Sequence, residues 1–236
     1  MNPLLVFALV AKMQDPSLTV AQRNDGCYGL RGLNAPPVLR VMRKALDDQA
    51  VRACAGINLR VAQAIPELKD ALTDPDPQTR ALAARQLGAF EKPELLPVLT
   101  EAARDHQLLV AVNAVEGLAN YREPVAIPYL LEIAKLGGIA GTAALNRALE
   151  FRDPRVPAVA RDLLTRPDVS DKLAGMRALA QMGDATDLPK LKEIAHTETQ
   201  AVAAQNRGFG LIPAISLSKA AQTTIEAIEE RVKAGI

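Results

Sequence analysis

Prolines at positions 37, 66, 97, 128, 157 and 189 recur at intervals of 29, 31, 31, 29 and 32 residues, and each is followed two positions later by an aliphatic residue: Leu39, Leu68, Leu99, Leu130, Val159 and Leu191. A period near 30 with two helical apolar patterns per unit constrains the chain to stacked helical hairpins. One such unit cannot bury its own apolar face and must lay it on a neighbour. The pairs Ile65-Pro66, Leu96-Pro97, Ile127-Pro128, Val156-Pro157 and Leu188-Pro189 mark where a first helix begins. Proline fits there because its fixed φ is already helical and its missing N–H would have had no intrahelical acceptor.

Each first helix is expected to run two to three turns and to stop at a polar break. These breaks are Asp15-Pro16, Asp47-Asp48, Asp74-Pro75-Asp76-Pro77, Asp105-His106, Gly137-Gly138, Arg166-Pro167-Asp168 and His196 to Gln200. A second helix rich in Ala and Leu follows, as in Thr79–Phe90, Leu109–Ala119, Thr142–Leu149, Lys172–Met182 and Ala201–Phe209. Residues such as Ala83, Ala84 and Leu87 fall three and four apart, on one face of a helix. The expectation is a single domain, 1–236, of seven repeats at about 1–34, 35–63, 64–94, 95–125, 126–154, 155–186 and 187–213. A capping helix from Leu217 to about Lys233, with Glu226, Glu229, Glu230 and Arg231 outward, would close the stack.

Composition agrees with an all-α solenoid: 49% of residues are apolar, only 3% aromatic, and Trp is absent, so closely approached helices must be filled by small and straight aliphatic side chains. A formal net charge of +1 gives no global attraction to nucleic acid or to an anionic membrane. Cys27 and Cys54 lack a C-x-x-C spacing and sit among small residues in helix-like stretches, so they read as buried small hydrophobes rather than a disulfide. The apolar opening Pro3–Ala11 has no Lys or Arg before it and is too short to span a bilayer. It reads as the first helix of the first repeat, and cytoplasmic residence is the default.

The third unit, from Ile65-Pro66-Glu67-Leu68 through Asp74-Pro75-Asp76-Pro77-Gln78-Thr79-Arg80 to Ala83-Ala84-Arg85-Gln86-Leu87-Gly88, resembles a HEAT repeat of the short kind found in phycobilisome-lyase-like proteins. Elsewhere the resemblance is looser: the second unit keeps Val51-Arg52, the fourth keeps Asp105 but has Ala111 where Arg is expected, and the fifth turns on Gly137-Gly138. It implies a right-handed superhelix of antiparallel helix pairs with the second helices on the concave side, a side that in this family usually binds macromolecules. It also implies a structural ladder between repeats, built from a turn Asp and an Arg six residues on, as in Asp74 and Arg80. Arg23, Arg52 and Lys172 occupy similar places.

Two residues before Leu87, Leu118, Leu149, Leu179 and Phe209 stand Arg85, Glu116, Arg147, Arg177 and Arg207. A residue two before a buried one is turned about 200° around the helix, so this column should face away from the core. In stacked repeats about 10 Å apart it would form a basic stripe broken once by Glu116, suited to carboxylate or phosphate. Asparagines also recur on the second helices, at Asn58, Asn113, Asn146 and Asn206, where they could donate to a bound peptide backbone or cap neighbouring turns.

Nothing in the sequence points to catalysis. The two histidines, His106 and His196, are not followed by Glu, which removes the repeated His-Glu pairs of di-iron oxygenases of this repeat class, and no metal or other cofactor is expected. Gly26, Gly29 and Gly32 suit close helix packing better than a phosphate loop. Nucleic acid is disfavoured by the scarcity of stacking aromatics. The reading is a monomeric, non-enzymatic scaffold or adaptor that binds a protein or peptide, acidic or extended, on its concave face. The alternative is an accessory subunit of a lyase or other enzyme of the phycobilisome-lyase-like class.

Overall fold

The computed structural model describes residues 2–122, 124–198, 201–202, 205–206, 211–212 and 215–235. The chain is all-α in class and divides into two units, Met1–Ala126 and Ile127–Ile236, each an α-solenoid of helical hairpins. The first unit holds α1 (Pro3–Gln14), α2 (Val20–Gly29), α3 (Pro36–Ala45), α4 (Arg52–Val61), α5 (Ile65–Ala71), α6 (Pro77–Gly88), α7 (Leu96–Ala102) and α8 (Leu108–Ala119). The second holds α9 (Ile127–Ala134), α10 (Gly138–Glu150), α11 (Val156–Leu164), α12 (Val169–Met182), α13 (Leu188–Thr197) and α14 (Leu217–Ala234).

The proline signal lands where its chemistry puts it: α5, α7, α9, α11 and α13 each carry Pro at their second residue. The aliphatic residue two places on is buried in each, with Leu68, Leu99, Leu130 and Leu191 at 0% exposure and Val159 at 3%. Leu39 departs from this pattern and is only half-buried, while Val38 takes the core position. The second helices start on side-chain caps where the sequence supplies them. Thr19 and Gln22 form a capping box on α2, and Asp76 and Asp168 accept from amides at the start of α6 and α12.

Small residues let neighbouring second helices touch backbone to backbone. A Cβ on Gly88 would collide with the main chain of Gly117, so α6 and α8 meet at a glycine pair. Gly26 plays the same part between α2 and α1, where an added Cβ would lie 2.8 Å from Leu9 O. Gly32, grouped with them in the sequence, instead takes φ +80° in a turn.

The first unit is tied along its turns by a regular relay of charged hydrogen bonds. Arg23 Nε donates to Met13 O at 2.9 Å and its guanidinium pairs with Asp48. Arg52 repeats this with Leu46 O at 2.6 Å and Asp76. Arg80 donates to Asp74 O at 2.8 Å and grips the Asp105 carboxylate through Nε at 2.7 Å and a second nitrogen at 3.0 Å. Each arginine therefore ties its own turn to the next one. The Asp74–Arg80 rung differs from the expected pair. Arg80 takes the main-chain oxygen of Asp74, while the Asp74 carboxylate accepts from Arg43 at 2.9 Å and from the Asp76 amide. Ala111 occupies the next arginine place in this unit and has no side chain to donate. In the second unit Lys172 pairs with Glu198 at 2.5 Å and Arg161 with Asp187 at 2.6 Å.

The rungs impose a pH dependence. Hydrogen bonds from Arg80 outweigh the opposing effect of burial and, with the Gln107 amide, hold the Asp105 carboxyl below its ordinary range. Burial pushes Asp48 and Asp74 up, but bonds from Arg23 and the Ala50 amide, and from the Asp76 amide and Arg43, bring both below the ordinary value. A carboxyl depressed on folding stabilises the fold fully above its unfolded pKa, about 3.9, and that contribution disappears as pH falls through the lowered folded value. Asp47 has the opposite sign, being raised by burial and then by Asp74. Melting between pH 7 and pH 2 is therefore expected to lose stability mainly below about pH 4, and Asp105→Asn is expected to flatten that fall. An unflattened profile would show that the rung is not coupled to folding.

Two sequence expectations are corrected. Cys27 and Cys54, read as separate buried thiols, form a disulfide that joins α2 to α4 across 27 residues of sequence. Both are fully buried, and the sequence signal failed because the pair comes together only when two second helices stack. Cystines form and persist chiefly in oxidising compartments. The stretch Ala201–Phe209, expected as the seventh second helix, is not helical in its described residues. Ala201–Val202 (β1) pairs antiparallel with Ile215–Ser216 (β4), and Gln205–Asn206 (β2) with Leu211–Ile212 (β3), in one common register. The β-branched Val202, Ile212 and Ile215 suit the strand conformation. The helix that packs on α13 is α14, which also lies along α12. Arg231 of α14 donates to the carbonyls of Leu179, Ala180 and Gly183, and Thr224 Oγ1 to that of Met176. The helix expected from Leu217 to about Lys233 is present as α14, Leu217–Ala234, and it packs on both α13 and α12.

Candidate peptide-binding surface

In the first unit, α4, α6 and α8 lie side by side, and their outward faces with the turns before them line a groove of about 360 Å³. Its floor and walls are Gln49, Arg52, Ala53, Gln78, Ala81, Leu82, Arg85, Leu109 and Asn113. Two cations, three amide side chains and two leucines line it, with no carboxylate among them. Arg52 is held by Leu46 O and Asp76. Arg85 is exposed and makes no hydrogen bond or ion pair among the described residues. Leu109 leaves 41% of its surface in water, and the adjacent Leu108 leaves 48%, so the groove offers apolar contact beside an open guanidinium.

The structure places the predicted column as follows. Arg85 on α6 and Glu116 on α8 are exposed, two residues before the buried Leu87 and Leu118. In the second unit Arg177 on α12 is exposed, whereas Arg147 on α10 is half-buried and pairs with Glu150 at 3.2 Å. Arg207 lies outside the described residues. Exposure of Arg85, Glu116 and Arg177 fits the 200° argument, and within the first unit Arg85 lines the groove.

The asparagines separate into different roles. Asn113 lines the groove, and its Nδ2 donates to Leu109 O at 2.8 Å within α8. Asn146 is half-buried on α10. Asn206 belongs to β2 and not to a helix, which corrects the expected position. Asn58 is buried at 2% exposure, its Nδ2 donating to Cys27 O at 2.6 Å, so it faces the interior and contributes nothing to the groove. Sequence reasoning missed Gln49, Gln78 and Leu109, since polar residues at helix starts and a leucine beside a buried valine carry no distinctive spacing.

These helical hairpins and their relay of turn aspartates define a helical-repeat protein. Residues 65–137, the stretch from α5 through α9, match the family model described as HEAT repeats. No curated protein matches the chain. Among solved structures, the chain is similar to human deoxyhypusine hydroxylase in complex with glycerol, at 18% identity over 95% of this chain and 96% of that one, with a TM-score of 0.39. It is also similar to an engineered protein, at 18% identity over 98% of each chain and a TM-score of 0.33. A designed armadillo repeat protein matches at 17% identity over 94% of this chain and 98% of that one, with a TM-score of 0.31. Among the described residues no His, Cys, Asp and Glu cluster could hold a metal, and no helix is long and apolar enough to cross a membrane.

Proposed function

We propose that the chain is a protein-interaction scaffold without catalytic activity, and that its first unit binds an acidic, extended segment of a protein partner across α4, α6 and α8. The observation that carries this reading is the exposed, unpaired Arg85 in a groove whose lining includes no carboxylate, Arg52 beside it being held by Asp76. Arg85 is the anchor: its planar fork suits bidentate capture of a carboxylate, and it has no internal partner to surrender on binding. Gln49, Gln78 and Asn113 supply amide donors and acceptors at the spacing of adjacent helices, and the exposed Leu109 takes an apolar side chain beside the acid. The match to HEAT repeats supports the scaffold part of the reading. In the second unit Arg177 is the corresponding exposed contact, and Arg147, shared with Glu150, is a weaker one.

The test is a titration of a fluorescein-labelled peptide alternating Glu and Leu, followed by anisotropy at low and moderate salt. Arg85→Glu is expected to weaken binding about tenfold or more, equivalent to about 1.4 kcal/mol, and to reduce its salt dependence. Equal affinity for the two proteins, with circular dichroism unchanged, would sink the assignment of Arg85.

A further inference from the structure

α1 carries apolar side chains all round. Asn2 starts it by accepting from the Leu4 amide, Pro3 fills its first position, and Lys12 is its only charge. At 100° per residue, Val6, Val10 and Met13 share one side, on which Met13 is buried and the two valines are half-buried. The opposite stripe, an arc of about 100°, is Leu4, Phe7, Ala8 and Ala11, and all four are exposed. Leu4 leaves 77% and Phe7 74% of its surface in water, more than any other large apolar side chain among the described residues, and Leu5 at the edge leaves 50%. Lys12 does not interrupt the stripe, because it is half-buried and its Nζ lies 3.6 Å from Asp25 Oδ2 on α2. A helix that is apolar all round belongs in an interior, yet α2 covers α1 on one side only.

The order of large and small residues along the stripe selects the cover. We propose that it is a second copy of this chain, paired antiparallel through α1 about a twofold axis between Phe7 and Ala8. In that register Leu4 of one copy faces Ala11 of the other and Phe7 faces Ala8, so each large side chain lies on a small one and the surface complements itself. Parallel pairing would set Leu4 on Leu4 and Phe7 on Phe7 and leave the alanines facing across a gap. With side chains of roughly 150–200 Å² each, Leu4, Leu5 and Phe7 offer about 350 Å², and the exposed Pro3, Ala8 and Ala11 bring the face to about 500 Å². Two such faces bury about 1,000 Å², the lower bound for a specific interface. A reversible dimer in the micromolar range therefore takes the place of the monomer expected from the sequence. A lipid surface fits less well, since a helix lying in a membrane interface sets a cationic face against its apolar one, and α1 has no such face.

Sedimentation equilibrium of the full chain over a wide concentration range reads the association. Phe7→Glu is expected to raise the dimer dissociation constant about a hundredfold with circular dichroism unchanged, because the side chain it replaces is exposed. Undiminished association of that variant would overturn the proposal. Mixing reads the register. Leu4→Glu and Ala11→Lys are each expected to be monomeric where the wild-type chain is paired, whereas their equimolar mixture pairs again, since the new carboxylate of one chain faces the new ammonium of the other. A mixture that stays monomeric would overturn the antiparallel register and the proposal with it. So would a wild-type chain that stays monomeric at every concentration, whether it floats with phosphatidylcholine vesicles, which would make a lipid surface the occupant, or remains in solution.

Discussion

Gly88→Val is expected to cost about 3 kcal/mol of stability, measured by urea unfolding followed at the helical circular dichroism band. The added side chain would meet the main chain of Gly117, which cannot turn away as a side chain can. Relief requires α6 and α8 to separate, and with them the tightest seam of the first unit. Gly29→Ala makes the contrast, because its new methyl would meet only the end of the Leu9 side chain, and about 1 kcal/mol or less is expected. Equal losses in the two variants would show that backbone contact at Gly88 does not hold the seam.

Removal of the segment from Leu217 onward is expected to be more disruptive still. Leu217, Ala221 and Ile228 are at 0% exposure against α12 and α13, and Arg231 donates to three main-chain oxygens near the end of α12. Without α14 those faces and carbonyls meet water, so the truncated chain should aggregate and lose more helix than the 18 residues of α14 contain. Analytical centrifugation with circular dichroism reads both. A soluble monomer that has lost only those 18 residues of helix would mean that α14 is an appendage.

The fold was legible because its signals are local. Proline at the second residue and an apolar residue two places later act within one helical turn, and they located α5, α7, α9, α11 and α13. Exposure of the column was legible for the same reason, since the angle between Arg85 and Leu87 is set by helix geometry alone. What could not be read depends on residues far apart in sequence. The cystine joins positions 27 residues apart, and the groove collects side chains from three helices and their turns. The strand pairing before α14 was hidden for another reason: Ala201–Phe209 carries enough Ala to imitate a helix, while its described residues pair as strands. Arg80 shows the same division, since its role in a ladder was readable but its carboxylate partner, Asp105, lies in the next turn.

The central claim is that the second-helix face of the first unit is a binding surface for an acidic segment. Hydrogen exchange of the full chain with and without a saturating Glu-Leu peptide tests it most directly, because it reads location as well as affinity. The account predicts added protection in α4, α6 and α8 around Arg85 and Asn113, lost in Arg85→Glu. Protection confined to the first helices α3, α5 and α7, or none at peptide concentrations that saturate the anisotropy signal, would contradict it.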